Sequence, residues 1–214
     1  MKIIKMSLLV LFHPVVAFSY IQKERDRFRA RPIVILLLLG VIVRLISLQF
    51  THYPLSTITM RSNLFLEVAK LFVPLVSWGI CSYLMTTILD GETMFRESML
   101  AVSYALTPYI VFMIPLTLIS RILDSNQAGL FTSLEACVLG WVILLIIISL
   151  KEMNHFTVGK TIMVVLLSVF TVAILWAAVA LLYSICTQFL DFLAEVMIEL
   201  RYKFSGSVLD SHKI

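Results

Sequence analysis

Residues 162–190 read IMVVLLSVFTVAILWAAVALLYSICTQFL and contain no charged side chain. Four shorter apolar runs precede this stretch, at about residues 32–50, 65–89, 99–119 and 131–150. A transmembrane helix needs about 20 mostly apolar residues, so each of the five runs is long enough to cross a bilayer once. Only 14% of the residues are charged and the mean hydropathy is +1.00, which is typical of a membrane protein. The sequence therefore predicts an all-α protein, a polytopic bundle of five transmembrane helices.

Three segments are expected along the chain. Residues 1–31 form a basic cytoplasmic leader, and residues 32–190 form the five-span membrane domain. Residues 191–214 form an amphipathic extension of the last helix and a C-terminal tail. Most of the chain lies in the spans, which leaves no room for a soluble domain of ordinary size.

The leader predicts a short helix that lies at the membrane surface. Its first twenty residues resemble a secretory signal, but Pro14 interrupts the apolar part, and whether the segment is cleaved stays open. Proline suits the first turn of a helix, so a retained amphipathic helix from Pro14 to about Arg29 is the preferred interpretation. Its apolar side chains should face inward, and its basic ones should face water or lipid phosphates. The inward set is Val15, Phe18 and Ile21, and the outward set is Lys23, Arg25 and Arg29.

Basic residues predict the orientation. Seven of them precede the first span, and the positive-inside rule places such a block in the cytoplasm. They are Lys2, Lys5, Lys23, Arg25, Arg27, Arg29 and Arg31. Five spans then put the N-terminus inside and the C-terminus outside, in what we expect to be a bacterial plasma membrane. The basic C-terminal tail would lie inside instead if one span were re-entrant.

Four charged residues lie within or at the ends of the predicted spans: Arg44, Glu67, Lys70 and Glu135. Arg44 is about 9 Å from the outer end of the first span at 1.5 Å per residue. An ionised group at that depth is costly unless it is paired or hydrated. The leading hypothesis is a salt-bridge cluster in which Arg44 contacts Glu67 or Glu135. A binding site or polar pathway, and separate side chains that reach toward the membrane surface, remain alternatives.

The third span is unusual because two prolines interrupt it. Residues 99–115 read MLAVSYALTPYIVFMIP. Each proline frees a backbone carbonyl that lipid cannot satisfy, so this helix should lie among its neighbours at the centre of the bundle. Broken helices with polar side chains also form substrate sites in some transporters, which is the alternative interpretation. The residues in question are Ser103, Tyr104, Thr107, Pro108, Tyr109 and Pro115.

No pattern in the chain predicts catalysis, a cofactor or a metal. Gly159-Lys160-Thr161 resembles the end of a phosphate-binding loop, but Asn154 stands where the first glycine belongs. The four histidines are scattered, and the three cysteines lie in different apolar runs without a CxxC spacing. We therefore expect a protein that is not an enzyme, holds no cofactor and binds no nucleic acid.

Several motifs together resemble the Yip1-domain family, over roughly residues 8–190. They are the leader with Pro14, Phe18, Ile21 and Lys23, the segment DGETMFR at 90–96, the segment SYALTPY at 103–109, and the loop HFTVGK at 155–160. The chain has no Asp-Leu-Tyr-Gly-Pro segment, which eukaryotic members carry. The resemblance implies a five-span membrane protein of the bacterial branch, and it does not transfer the eukaryotic role of recruiting small GTPases in vesicle traffic.

Two functions remain open from the sequence. The first is a non-enzymatic adaptor or assembly factor that binds another membrane protein complex, for example a transport system. Its partner surface would comprise Arg96, Glu97, His155 and Lys160, at the cytoplasmic ends of the spans. The second is a small permease or channel that uses the charged cluster and the broken third span. The expected partners are membrane lipids and either another membrane protein or further copies of the chain, and a small-molecule substrate is unknown.

Overall fold

The computed structural model describes residues 3–23, 31–50, 64–123 and 127–210, with the backbone alone at 64, 200 and 202–210. All of the regular structure in these residues is helical. The helices are α1 (Ile3–Phe12), α2 (Pro14–Lys23), α3 (Arg31–Phe50), α4 (Leu64–Ile88), α5 (Phe95–Ala105), α6 (Thr107–Ile119), α7 (Ala128–Met153) and α8 (Val158–Asp210).

Five helical stretches are long and apolar enough to cross a membrane, which confirms the predicted fold class. They are Arg31–Phe50, Phe65–Ile88, Phe95–Ile119, Ala128–Met153 and Val158–Glu199. The chain divides into two compact units, residues 1–169 and 170–214. The first contains α1 to α7 and the start of α8. The second is the rest of α8, whose described side chains are nearly all exposed.

The third span consists of α5 and α6 and lies at the centre of the first unit, as predicted. Of the 18 consecutive residues that are most apolar in this span, 67% are buried, compared with 11% to 28% in the other spans. Helix α5 packs on α3, α4 and α7, and α6 packs on α3 and α7. The break falls at Leu106, because Pro108 occupies the first turn of α6. Pro115, by contrast, lies inside α6 and does not end it.

The leader helix begins at Pro14, as predicted, and Phe18 and Ile21 are buried. The inward placement of Val15 is wrong, because its side chain is 48% exposed. The reason is that α1 precedes α2 and the backbone hydrogen bonds continue through His13. The buried face of α1, which includes Met6, therefore continues along the same side of α2. Val15 lies away from that face. Helix α2 packs on α7, and the predicted outward residues Arg25 and Arg29 lie outside the described residues.

Candidate functional site

Arg44 links three helices at one end of the bundle. Its Nη1 donates to Oε1 of Glu135 on α7 at 3.3 Å, and its Nη2 donates to Oε2 of Glu67 on α4 at 3.4 Å. The Nζ atom of Lys70 donates to the other Glu67 oxygen at 2.6 Å. The predicted contact is therefore present with both carboxylates. We call Arg44, Glu67, Lys70 and Glu135 the Arg44 cluster.

The Arg44 cluster combines internal charges with one accessible cation. The exposed fractions of the side chains are 18% for Arg44 and 13% for Glu67, against 70% for Lys70. Glu135 is intermediate, at 29%. Two cations face two carboxylates, so the cluster is formally neutral, which lowers the cost of holding charge within a membrane.

Tyr109 of α6 adds a fourth helix to this region. Its hydroxyl lies beside the Arg44 guanidinium and interacts with it electrostatically. Neither this hydroxyl nor Arg44 Nε, both buried, makes a hydrogen bond of acceptable geometry within the described residues. One polar atom of each side chain is thus without a hydrogen-bond partner within the described residues. The sequence offered no sign that Tyr109, among the polar residues of the third span, approaches Arg44.

The other polar residues of the third span bond to their own helix. Ser103 Oγ donates to the Met99 carbonyl at 2.8 Å. Thr107 Oγ1 donates at 2.6 Å to the Tyr104 carbonyl, which is four residues before Pro108 and therefore loses its usual amide partner. Tyr104 itself is buried. These hydroxyls satisfy the broken helix, and the structure does not bring them to the Arg44 cluster.

Three chain segments converge at the other end of the bundle. Gln22 Nε2 at the end of α2 donates to Oε2 of Glu92 at 3.2 Å. Asn154, just after α7, accepts at Oδ1 from the amide and the hydroxyl of Thr93, at 3.2 and 2.8 Å. Its Nδ2 donates to the Leu150 carbonyl. The end of α2, residues 89–94 and residues 154–157 form what we call the three-segment surface. No pattern in the sequence marks Asn154 as the central residue of this surface.

Two helix ends in this surface share one geometry. Asp90 after α4 and His155 after α7 have positive φ values of 55° and 50°. The amides of Gly91 and Phe156 bond back to the carbonyls of Thr86 and Lys151, at 2.7 and 3.1 Å. This is the Schellman ending, which usually places glycine in the left-handed position. The segment that follows each helix therefore leaves it in a fixed direction.

The four residues predicted as a partner surface differ in accessibility. Arg96 and His155 are exposed, and Lys160 is partly exposed with its ammonium 4.5 Å from the Phe156 ring centroid. Glu97 requires a correction, since it is only 7% exposed. Its carboxylate accepts from the Met94 amide at 3.0 Å in a capping box at the start of α5. Glu97 stabilises the helix end and is not available as a surface charge.

The comparison with protein families gives a match over residues 8–183, to the model of the Yip1 domain. The chain belongs to the Yip1-domain family. The resemblance drawn from the sequence is thus confirmed at the level of the family. Searches of curated proteins and of solved structures found no match.

Residues 3–23, 31–50, 64–123 and 127–210 contain no candidate metal site. Within these ranges no group of three or more His, Cys, Asp or Glu side chains is placed to hold an ion. Cys81 is buried, while Cys137 and Cys186 are exposed, and none of the three is in a disulfide. That the protein is not an enzyme stays a prediction.

Proposed function

We propose that this integral membrane protein is a non-enzymatic adaptor or assembly factor that binds another membrane protein complex, such as a transport system. The observation that carries the proposal is the three-segment surface. Hydrogen bonds join α2, residues 89–94 and residues 154–157, which are distant in the sequence, into one surface. Exposed Arg96 and His155 lie in or directly beside it.

The surface has the preorganisation that recognition requires. Its backbone is fixed by the two Schellman endings and by the Asn154 side chain, so a partner would not have to order it on binding. Left-handed backbone at residues other than glycine, as at Asp90 and His155, is strain that tends to occur at functional sites. Folding alone would be served better by glycine at both positions.

Its composition also suits a protein interface. Met94 belongs to the surface, and Phe95 and Val158 directly follow two of its segments; their apolar side chains are exposed, at 63%, 47% and 62%, as is Arg96. Methionine, aromatic residues and arginine are the residue types that interfaces favour over the rest of a protein surface. The Phe95 ring is held edge-on against Tyr83, with 5.4 Å between ring centroids, and is thereby positioned before any partner arrives.

We also propose that this surface faces the cytoplasm, with the N-terminus inside. The proposal rests on the block of seven basic residues between Lys2 and Arg31, of which Lys5, Lys23 and Arg31 are described. Single cysteines at Lys23, Arg96 and Gln127 test it in a chain whose native cysteines are replaced. Lys23 and Arg96 should be labelled from one side and Gln127 from the other, and labelling of all three from one side contradicts the topology.

Charge reversal tests the adaptor role in the full-length chain. Arg96→Glu combined with Lys160→Glu should reduce recovery of a stoichiometric partner from gently solubilised native membranes by about tenfold, because like charges across an interface oppose binding. Arg201→Glu is the matched control, since it reverses an exposed basic residue on α8. Membrane level and labelling pattern should match the unaltered protein in both cases. Unchanged recovery, or no partner at all, contradicts the adaptor role.

A small permease is the second candidate, favoured by the two polar atoms without hydrogen-bond partners at Tyr109 and Arg44 within the described residues. A substrate with an acceptor group between them would supply both bonds. The test is thermal stabilisation of the purified protein by candidate polar solutes, with Tyr109→Phe as the comparison. A stabilising solute whose effect is lost in Tyr109→Phe supports the permease. The local hydrogen bonds of Ser103 and Thr107 favour the adaptor.

A further inference from the structure

An apolar groove of about 450 Å³ runs between α4, α7 and the first turns of α8. Its walls include Leu75 and Trp78 of α4, Val142 and Ile146 of α7, and Val165 of α8. The volume falls in the range of small-molecule sites, which are mostly apolar with a few polar groups. All of these residues belong to the first compact unit.

One charged residue lines this groove, and it lies at one end. Lys70 has a side chain that is 70% exposed, and its ammonium donates one hydrogen bond, to Glu67. An ammonium carries three donors, so two remain for another acceptor. The other Glu67 oxygen accepts from Arg44, so the cluster as a whole is neutral and Lys70 is its most exposed charge. The groove therefore has an accessible ammonium at one end and an apolar body.

The groove lies at a depth in the membrane that suits a lipid with its headgroup at one end. Lys70 lies five residues inside the end of the span Phe65–Ile88, about 8 Å at 1.5 Å per residue, and a lysine can extend from there toward the headgroups. Trp78 lies about 12 Å further along α4, in the hydrocarbon region. The polar end is thus near headgroup level, and the apolar body continues toward the middle of the bilayer.

A second groove provides the contrast. It measures about 680 Å³ and lies between α1, α3 and α6, with Ile4, Leu36, Leu39 and Ile110 among its lining residues. No charged side chain lines it in the described part of the chain. Lipid tails can occupy such a groove through apolar contact alone, without preference for a headgroup.

We propose that the groove beside Lys70 binds one acyl chain of an anionic phospholipid from the surrounding bilayer. The lipid phosphate pairs with the Lys70 ammonium, and the chain lies along α4 and α7 as far as Trp78. This inference is independent of the adaptor role, because the groove and the three-segment surface share no residue.

Trp78 reports on occupancy of the groove. Trp141→Phe and Trp176→Phe leave it as the only tryptophan of the full-length chain. The protein is reconstituted in phosphatidylcholine vesicles, to which dibrominated phosphatidylglycerol or dibrominated phosphatidylcholine is added at equal mole fraction. We expect phosphatidylglycerol to quench Trp78 with about fivefold higher apparent affinity, the preference that one lysine gives near an anionic surface. The difference should shrink as salt is raised.

Three variants make the experiment decisive. Lys70→Gln should remove the headgroup preference, whereas Lys70→Arg should keep it. A reporter in the second groove, Leu39→Trp in a chain without other tryptophans, should be quenched equally by both lipids. Equal quenching of Trp78 by the two lipids overturns the proposal, as does a preference that survives Lys70→Gln. No quenching by either lipid also overturns it, since protein would then fill the groove.

Discussion

The two ends of the first unit stabilise their buried polar groups through different kinds of contact. In the Arg44 cluster, Arg44 and Glu67 are largely buried and formally charged, and the ion pairs of Arg44 with Glu67 and Glu135 join α3 to α4 and α7. In the three-segment surface, side-chain amides and a hydroxyl, from Gln22, Asn154 and Thr93, hold the chain together, and the one carboxylate that takes part is Glu92, which accepts from Gln22. The charged Arg96 is exposed there instead. One end joins its helices through ion pairs, and the other joins its segments mainly through amide and hydroxyl hydrogen bonds.

This difference teaches where a mutation should affect folding and where it should affect recognition. Removing Arg44 from the cluster leaves Glu67 and Glu135 without their shared cation inside the bundle, which is among the costliest changes in a protein, whereas Lys70 is largely exposed. Removing an exposed charge from the three-segment surface changes little within the fold. The backbone of that surface, however, is tightly packed, so it should be sensitive to added volume.

The largest effect should come from Arg44→Met, which tests the first half of the comparison. Glu67 and Glu135 would then face each other with their shared cation removed, and the free energy of unfolding should fall by about 3 kcal/mol. Unfolding of the purified protein by titration with a denaturing detergent measures this change.

The matched control for that variant removes the charges as well. Arg44→Met combined with Glu67→Gln and Glu135→Gln removes the three less exposed charges and leaves only Lys70, which is 70% exposed, without a carboxylate partner. This variant should recover most of the lost stability. If the triple variant were as unstable as the single one, packing of the arginine stem would explain the loss better than its charge.

An intermediate effect should follow Gly91→Ala, in the three-segment surface. An added Cβ would lie 2.6 Å from Asn154 Oδ1 and 2.8 Å from the Thr86 carbonyl, so the junction between α4 and α7 would have to move. We expect a loss of about 2 kcal/mol in the free energy of unfolding and weaker partner recovery. Gly140→Ala is the control, because nothing lies within 4 Å of its added Cβ and alanine favours a helix. Equal effects of the two substitutions would contradict the close packing.

The sequence predicts the Arg44 cluster well because an intramembrane charge has few acceptable environments. A deep arginine and two carboxylates in other spans constrain each other strongly. The break near Pro108 is predictable for a similar reason, because proline cannot donate in a helix. Both predictions rest on an energetic cost, of an unpaired charge in the membrane or of a missing backbone donor in a helix, that applies whatever the neighbouring helices are.

The residues that the sequence did not reveal are those whose role depends on a neighbour far along the chain. Asn154 is one polar residue after a helix, and only folding brings Thr93 to it. Glu97 caps α5, but Met94 precedes it where serine or threonine would have marked a capping box. Val15 was misplaced because the face of α2 continues that of α1, which the signal-like first residues did not suggest. Neutral hydrogen bonds, helix faces and the capping role of Glu97 are set by their surroundings, whereas a charge deep in a span must be paired.

The smallest expected effect concerns Asp90 and tests whether the three-segment surface carries strain. Asp90→Gly relieves the left-handed backbone at φ 55°, although glycine also gives the unfolded chain more freedom. The net gain should be about 0.5 kcal/mol in the free energy of unfolding. Asp90→Ala should act in the opposite direction, because alanine keeps a Cβ and lacks the local hydrogen bonds that let aspartate tolerate this conformation. If both substitutions changed the free energy of unfolding in the same direction, as measured by detergent unfolding, backbone strain at the end of α4 would not explain their effects. Partner recovery gives a further comparison. Asp90→Gly keeps both the left-handed turn and Arg96, so recovery should be unchanged, whereas Asp90→Ala should lower it because the turn that orients the surface is disfavoured. Unchanged recovery with Asp90→Ala would mean that the exposed side chains alone are recognised.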